Sequence, residues 1–310
     1  MAAIHESFAF VNQWLPSDLI GKLLAFPYDP DAPSSLLIQG LPIDQNPPPT
    51  PVKDNIFDSN DGEFRNVPVA ESWLMGISRL LGVLASPPRS KGDRGGIVRD
   101  LTRNKDEVGV LPMHCDYPRQ CFSKVNHVEI EIFILFGIRS DPYQQVSTVV
   151  MDSRKLLHLL DEKDVKLLQK HKIQLQMPIP GDDKMMDQGS AFHAIDPDDS
   201  STITLFDLPR SAVTSPEGGE AAVEAYKRLQ TIAFENGEKV MLGPGDMLII
   251  NNGRLVHGRT AFHPDDCKRD GNGRWLIKSY VTNNLWKTTG TDGSYGLVDY
   301  PRVNAMDWIE

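Results

Sequence analysis

Cysteine is scarce in this chain of 310 residues: Cys115, Cys121 and Cys267 form no CxxC pair and no even framework. That excludes a disulfide-built scaffold and points to a reducing, cytoplasmic setting. Positive charge is also short. Lys and Arg number 32 against 42 Asp and Glu, a formal net charge of −10, which is the wrong sign for general nucleic-acid binding. No apolar run approaches the roughly 18 residues of a membrane span, and Met1 to Glu6 shows no basic stretch leading into an apolar one, so no signal peptide is expected. Nor is there a Gly-rich phosphate loop in a strand-to-helix context, a Gly-x-Ser-x-Gly elbow, an internal repeat or a low-complexity tract. These absences leave a globular chain whose expected partner is a small molecule rather than a nucleic acid or a membrane; monomer and homodimer both stay open.

The pattern changes along the chain. Residues 5–26 carry apolar side chains at helical spacing, with Ser17 placed to cap the second half; residues 27–66 are rich in Pro, Asp and Asn and read as loop; residues 67–86 read as a helix stopped near Pro87-Pro88. Residues 87–107 gather Lys91, Arg94, Arg99, Arg103 and Lys105. A solvated basic loop accounts for them; a loop at the mouth of a substrate site, with Arg99 as a substrate contact, is the functional alternative. From residue 108 onward β-branched and aromatic runs recur between turn signals, at 128–136, 146–150, 173–177, 203–206, 239–242, 247–250 and 275–281. Helical insertions are expected at 154–169 and 216–236, and Gly243-Pro244-Gly245-Asp246 is a tight-turn signal. The expected fold is mainly β: a double-stranded β-helix, or jelly roll, with helices packed outside. One domain is expected over 1–310, with 1–107 as helical and loop support, 108–285 as jelly-roll core and 286–310 as a tail.

The chemistry concentrates in Leu111-Pro112-Met113-His114-Cys115-Asp116 and in Asn251-Asn252-Gly253-Arg254-Leu255-Val256-His257-Gly258-Arg259. On an extended segment the period of two puts His114 and Asp116 on one face and Cys115 on the other. Taken alone, a His-x-Asp pair recurs by chance and favours a structural role. His257 at the exit of a hydrophobic strand changes that. Two imidazoles and one carboxylate are the ligand set of the facial triad of non-haem Fe(II) oxygenases, which leaves coordination positions open on one side. Arg274 opens a later strand, where a guanidinium can hold a distal carboxylate through two prongs. His263 reads as a loop residue. His127, His158, His171 and His193 lack ligand spacing, Glu129 and Glu131 read as a polar strand face, and the cysteines read as buried thiols.

These stretches resemble the clavaminate synthase-like branch of the Fe(II)/2-oxoglutarate-dependent oxygenases, a TauD-like group that includes bacterial hydroxylases of free amino acids. The matching segments are 110–116, Gly137 to Pro142, 148–157 and, above all, Pro244 to Val281, within a resemblance that covers about 108–285. The resemblance implies that His114, Asp116 and His257 bind Fe(II). It implies that Arg274, helped by Thr148 or Ser147, grips the distal carboxylate of 2-oxoglutarate. It suggests that Asp207 lies in a lid that contacts substrate, although a loop-capping carboxylate explains Asp207 equally well. Three departures stand out. Asp116 replaces the Glu of many relatives, Lys278 replaces a second arginine that receives the substrate carboxylate, and Pro264 to Arg269 lengthens the loop between His257 and Arg274. Lysine keeps the charge of arginine and loses its planar fork.

The implied reaction consumes O2 and 2-oxoglutarate, releases succinate and CO2, and hydroxylates an unactivated C–H bond. The halogenases of this superfamily have a small residue where this chain keeps Asp116, so hydroxylation or desaturation is expected and chlorination is not. The expected substrate is a free polar or basic amino acid attacked at its β or γ carbon. A dioxygenase for another small acid, such as a sulfonate, or one that cyclises or desaturates, stays open because of Lys278. A metal-holding β-barrel without redox turnover also stays open.

Overall fold

The computed structural model describes residues 2–51, 66–85, 98–103, 109–116, 130–178, 185–187, 191–206, 212–263 and 271–283. In chain order the elements are α1 (Ala2–Trp14), α2 (Ser17–Ala25), β1 (Ser35–Ile38), α3 (Pro68–Leu81), β2 (Val83–Ala85), β3 (Val98–Thr102), β4 (Leu111–His114), β5 (Ile132–Arg139) and β6 (Thr148–Asp152). They continue with α4 (Ser153–Leu157), α5 (Glu162–Lys170), β7 (Gln174–Pro178), β8 (Met185–Asp187), β9 (Ala212–Thr214), α6 (Gly219–Asn236), β10 (Glu238–Val240), β11 (Met247–Asn251), β12 (Leu255–Arg259) and β13 (Trp275–Thr282).

Two antiparallel sheets carry the core. The larger runs β1-β11-β5-β13-β2, with β3 also paired to β13; the smaller runs β10-β6-β12-β4. Strand alternation sorts their side chains into three layers. Ile132, Ile134, Phe136, Ile249, Ile277 and Val281 face outward from the larger sheet onto α3, against which α1 packs. Phe133, Leu135, Ile250, Leu276 and Tyr280 face inward and meet Val150 and Leu255 of the smaller sheet. Met113, Val149, Met151 and Val256 face outward from the smaller sheet onto α6. Each fully buried Leu, Ile or Phe in these layers contributes about 1.5–3 kcal/mol, so the alternation fixes which face of each strand meets the site.

The mainly β jelly-roll expectation holds, with local corrections. The helix expected over 67–86 ends at Leu81, and β2 follows. Pro68 suits its first turn, and Asp44, distant in sequence, accepts from the amides of Val69 and Ala70 at 3.1 Å each. Ser17 does not cap α2. It is the first helical residue, after Pro16, and no side chain caps that end. The insertion expected over 154–169 is two short helices: Asp152 caps α4 through the Arg154 and Lys155 amides, and Asp161 begins α5. The run at 203–206 forms only an isolated bridge between Ile203 and Ile195. In the basic segment, residues 98–102 form β3 rather than loop; Lys91, Arg94 and Lys105 lie outside the described residues. In Gly243-Pro244-Gly245-Asp246 the backbone of Gly245 takes φ +81°, a region that glycine occupies without penalty.

Candidate active site

β4 and β12 run side by side in the smaller sheet, with His257 and His114 as register partners. Their rings lie 4.3 Å apart, and the His257 ring is 4.4 Å from Phe133 of the larger sheet. Both imidazoles therefore project into the space between the sheets. Asp116 follows two residues after His114, and its Oδ1 lies 3.7 Å from His114 Nε2. One ligand atom from each of His114, Asp116 and His257 falls within 4.8 Å of the others, and this is the one such histidine–carboxylate grouping among the described residues.

The protonation states suit a metal. Nδ1 of His114 lies 2.8 Å from the Pro112 carbonyl; a proton on Nδ1 makes that bond and leaves Nε2 as a lone-pair donor. Burial, with the neighbouring His114, holds His257 well below its usual pKa and therefore neutral; its Nδ1 is buried without a hydrogen-bond partner. Burial alone would raise the Asp116 carboxyl. The Lys278 ammonium reverses this and holds it well below the usual carboxylate range. Neutral imidazoles and an ionised carboxylate are the forms that bind a divalent ion.

The placement of Asp116 is determined on every side. Asn252 accepts from its amide at 3.0 Å and donates to its carbonyl at 2.6 Å, while also donating to the Ile130 carbonyl at 2.9 Å. Lys278 Nζ and the Tyr280 hydroxyl donate to Oδ2 at 3.2 and 3.1 Å. On the opposite face, Cys115 donates weakly to the Ile203 carbonyl, and burial pushes its thiol up to about 12. It is a packed thiol and not a ligand. Gln230 of α6 braces the strand by donating to the carbonyls of Met113 and Phe206 at 2.9 and 2.7 Å.

A second buried charge lies on the β6 side of the triad. Arg274 is buried, its Nη2 reaches Thr148 Oγ1 at 3.5 Å, and its Nε has no hydrogen-bond partner among the described residues. Burial, and then the like charge of Arg259, lower its pKa to about 10, against a smaller opposing pull from Asp141. Thr148 and Arg259 are register partners on β6 and β12. A buried guanidinium with an unused donor fits a carboxylate, which would supply both the counter-charge and the missing acceptor.

Of the remaining residues singled out in the sequence, Lys278 stands at Asp116, and Arg99 is its register partner on β3, with the guanidinium 5.7 Å from the Tyr280 ring. Ser147 donates its amide to the Thr260 hydroxyl at 2.8 Å. His263 stacks on Tyr143 at 4.2 Å. Asp207, His127, Glu129, Cys121, Cys267 and the long 264–269 loop lie outside the described residues. A cavity of about 800 Å³ opens beside Asn252, lined also by Cys115, Glu131 and Arg254, but none of the three candidate ligands lines it. Sequence reasoning missed Asn252, Arg259 and Tyr280. The first two sat inside the quoted motif without a role. Tyr280 could have been found from strand period, since it lies two residues beyond Lys278 on the same face.

Residues 63–280 match the pattern of the taurine catabolism dioxygenase TauD, TfdA family. The chain belongs to that family. It is a 2-oxoglutarate-dependent dioxygenase, and the His-Asp-His grouping and the buried Arg274 suit ferrous iron and 2-oxoglutarate as its cofactors. Among curated relatives, the chain is 24% identical over 304 residues to L-asparagine oxygenase of Streptomyces coelicolor, a match covering 93% of this chain and 83% of that one. It is 32% identical over 146 residues to clavaminate synthase 2 of Streptomyces clavuligerus, covering 46% of this chain and only 42% of the relative. The fold resembles asparagine oxygenase solved with Fe(II), 3-hydroxyasparagine and succinate, with a TM-score of 0.71 at 22% identity over 90% of this chain and 83% of that one. It also resembles the non-haem iron oxygenase OrfP solved with Fe, succinate and hydroxyarginine, with a TM-score of 0.68 at 23% identity over 94% of this chain and 88% of that one. No helix among the described residues is long and apolar enough to cross a membrane.

Proposed function

We propose that this dioxygenase hydroxylates a free polar or basic amino acid at an unactivated C–H bond. The observation that carries the reading is the convergence of His114, Asp116 and His257 between the sheets, beside the buried Arg274 whose Nε has no partner. Iron and 2-oxoglutarate, when bound, supply the oxidising power: the cosubstrate becomes succinate and CO2 as O2 is consumed, and one oxygen atom enters the substrate C–H bond. The residues supply position and charge. His114 Nε2, His257 and Asp116 Oδ1 would hold the iron. Arg274 would clamp the distal carboxylate of 2-oxoglutarate, Thr148 would accept from the guanidinium, and Arg259 would add positive potential at that end.

The substrate residues in this reading are Lys278 and Arg99 on the larger sheet, as cationic receivers for a carboxylate, and Asp207, which lies outside the described residues. L-Asparagine oxygenase and the L-lysine 3-hydroxylase of Catenulispora acidiphila, 23% identical over 92% of this chain, act on free amino acids by name, which favours that substrate class. Lys278 holds Asp116 rather than standing free, and this keeps a sulfonate or another small acid as the second reading.

Succinate release from 2-oxoglutarate under air, screened across the twenty common amino acids and taurine, tests both. Stimulation by one amino acid, lost in His114→Ala, is expected. Stimulation by taurine alone would transfer the proposal to sulfonates, and no succinate under any condition would sink it.

A further inference from the structure

Asp116 has two carboxylate oxygens, and the protein treats them differently. Oδ2 receives two donors from β13, the Tyr280 hydroxyl at 3.1 Å and the Lys278 ammonium at 3.2 Å. Oδ1 faces His114 Nε2 at 3.7 Å. The backbone of the same residue is held at both its amide and its carbonyl by Asn252. The one group of Asp116 left to reach the metal position is Oδ1.

We propose that Tyr280 is a positioning residue for the iron: its hydroxyl fixes the outer oxygen of Asp116, so that the carboxylate offers the ion Oδ1 alone. This rests on the reading of His114, Asp116 and His257 as the metal ligands. A carboxylate free to rotate can close on a divalent ion through both oxygens and take a second coordination position. Pinned at Oδ2, it takes one, and the positions needed by a chelating cosubstrate and dioxygen stay available. Outer hydrogen bonds to metal ligands commonly set ligand orientation and metal affinity in this way.

The two donors are not equivalent. Lys278 brings a positive charge beside a site for a dication, so its orienting bond works against its own repulsion of the metal. The Tyr280 hydroxyl orients the same oxygen without that repulsion. The site also keeps Tyr280 in place. Its side chain is buried, and its ring is packed against cations on two strands, with Lys278 Nζ at 4.7 Å and the Arg99 guanidinium at 5.7 Å from the centroid. Cations over an aromatic face attract it electrostatically. The strand period explains why both donors arrive together: Lys278 and Tyr280 share a face of β13 two residues apart.

The test is anaerobic titration of metal-stripped full-length protein with Co(II), read by calorimetry and by the cobalt d–d absorption spectrum, with the thermal midpoint of the metal-free protein as a fold control. Tyr280→Phe keeps the ring and removes only the hydroxyl. It should weaken Co(II) binding by about 10- to 100-fold and alter the d–d spectrum at saturation. Lys278→Met, which removes a hydrogen bond and a repelling charge together, should weaken binding less than Tyr280→Phe. Should Tyr280→Phe lower the metal-free thermal midpoint, the spectrum at saturating Co(II) decides, because loss of fold stability alone leaves the coordination of the bound ion unchanged. Affinity within twofold of the parent together with an unchanged spectrum would overturn the proposal. If the parent bound no Co(II), or His114→Ala bound it equally well, the triad reading itself would fail, which is a separate outcome.

Discussion

His114 and His257 face each other as register partners on β4 and β12, their rings 4.3 Å apart, so a two-strand ladder fixes two-thirds of the candidate ligand set before any ion arrives. Such a site is preformed, and its failure on substitution should be chemical rather than structural. Asp116→Gly removes the third ligand together with the acceptor of the Lys278 and Tyr280 donors. Hydroxylated product should fall below detection while the far-UV circular dichroism spectrum stays that of the parent. Undiminished product from this variant would refute the ligand assignment.

Arg274 carries a prediction about the cosubstrate alone. Its buried guanidinium offers a carboxylate charge-assisted bonds of about 1.5–3 kcal/mol, which corresponds to roughly a 10- to 100-fold change in affinity. Arg274→Ala should raise the KM for 2-oxoglutarate by that factor. Arg274→Lys should fall between the two because it restores charge without the fork. An unchanged KM in the alanine variant would remove Arg274 from the role.

Much of this site was legible in the sequence because it depends on local period. His-x-Asp on an extended segment puts both ligands on one face, and the same rule turned Cys115 outward, where it packs against the α6 side. The antiparallel pairing of β12 with β6 and β4 was not readable from any local window, yet it brings Thr148 beside Arg259 and His257 beside His114. The side chains that donate to Asp116 lie 136 to 164 residues away from it in sequence. No spacing rule reaches that far, and for this reason Asn252 was seen as part of a turn only, whereas Tyr280 was within reach of the strand period from Lys278. The helix boundaries failed for a different reason. Gly82 ends α3 before its apolar pattern does, and Asp161, at the start of α5, divides a second apolar pattern into two helices.

Asp164 on α5 accepts from Arg228 on α6 through a two-pronged contact, Nε to Oδ2 and Nη2 to Oδ1, each at 2.7 Å. It couples α5 to the helix that braces β4 through Gln230. The hydrogen bonds from Arg228 lower the Asp164 pKa, against a smaller cost of burial. A depressed carboxylate contributes stability above its unfolded pKa, about 3.9, and loses it as pH falls through the lower folded value. Arg228 is half exposed, so the pair is worth roughly 1–2 kcal/mol after screening. Asp164→Asn should lower the urea midpoint at pH 7, and the gap from the parent should close as the pH falls below about 4. A gap independent of pH would assign the loss to packing instead.

Gly258, next to His257, supports the site through the space it leaves. The β4–β12 ladder pairs His257 with His114 and Arg259 with Leu111, so β4 carries one extra residue between the two pairs. Pro112 lies in that irregular stretch, where its missing amide costs no ladder bond. Its carbonyl is the partner of His114 Nδ1. Gly258 lies against the same stretch. A Cβ there would stand 2.7 Å from the Leu111 carbonyl oxygen and 3.0 Å from Met113 Sδ. Backbone cannot yield as a flexible side-chain tip does, so Gly258→Ala must push β4 away from β12 and carry the Pro112 carbonyl and the His114 ring with it. The expected cost is about 1–3 kcal/mol in stability, typical of overpacking, accompanied by weaker Co(II) binding. Gly253→Ala in the preceding turn is the control, because its added Cβ meets nothing closer than Asn251 Oδ1 at 3.6 Å. Thermal melts and Co(II) titrations of the two variants would separate them. If Gly258→Ala lost stability but bound Co(II) as tightly as the parent, the bulge would be a folding feature with no part in holding the His114 ring.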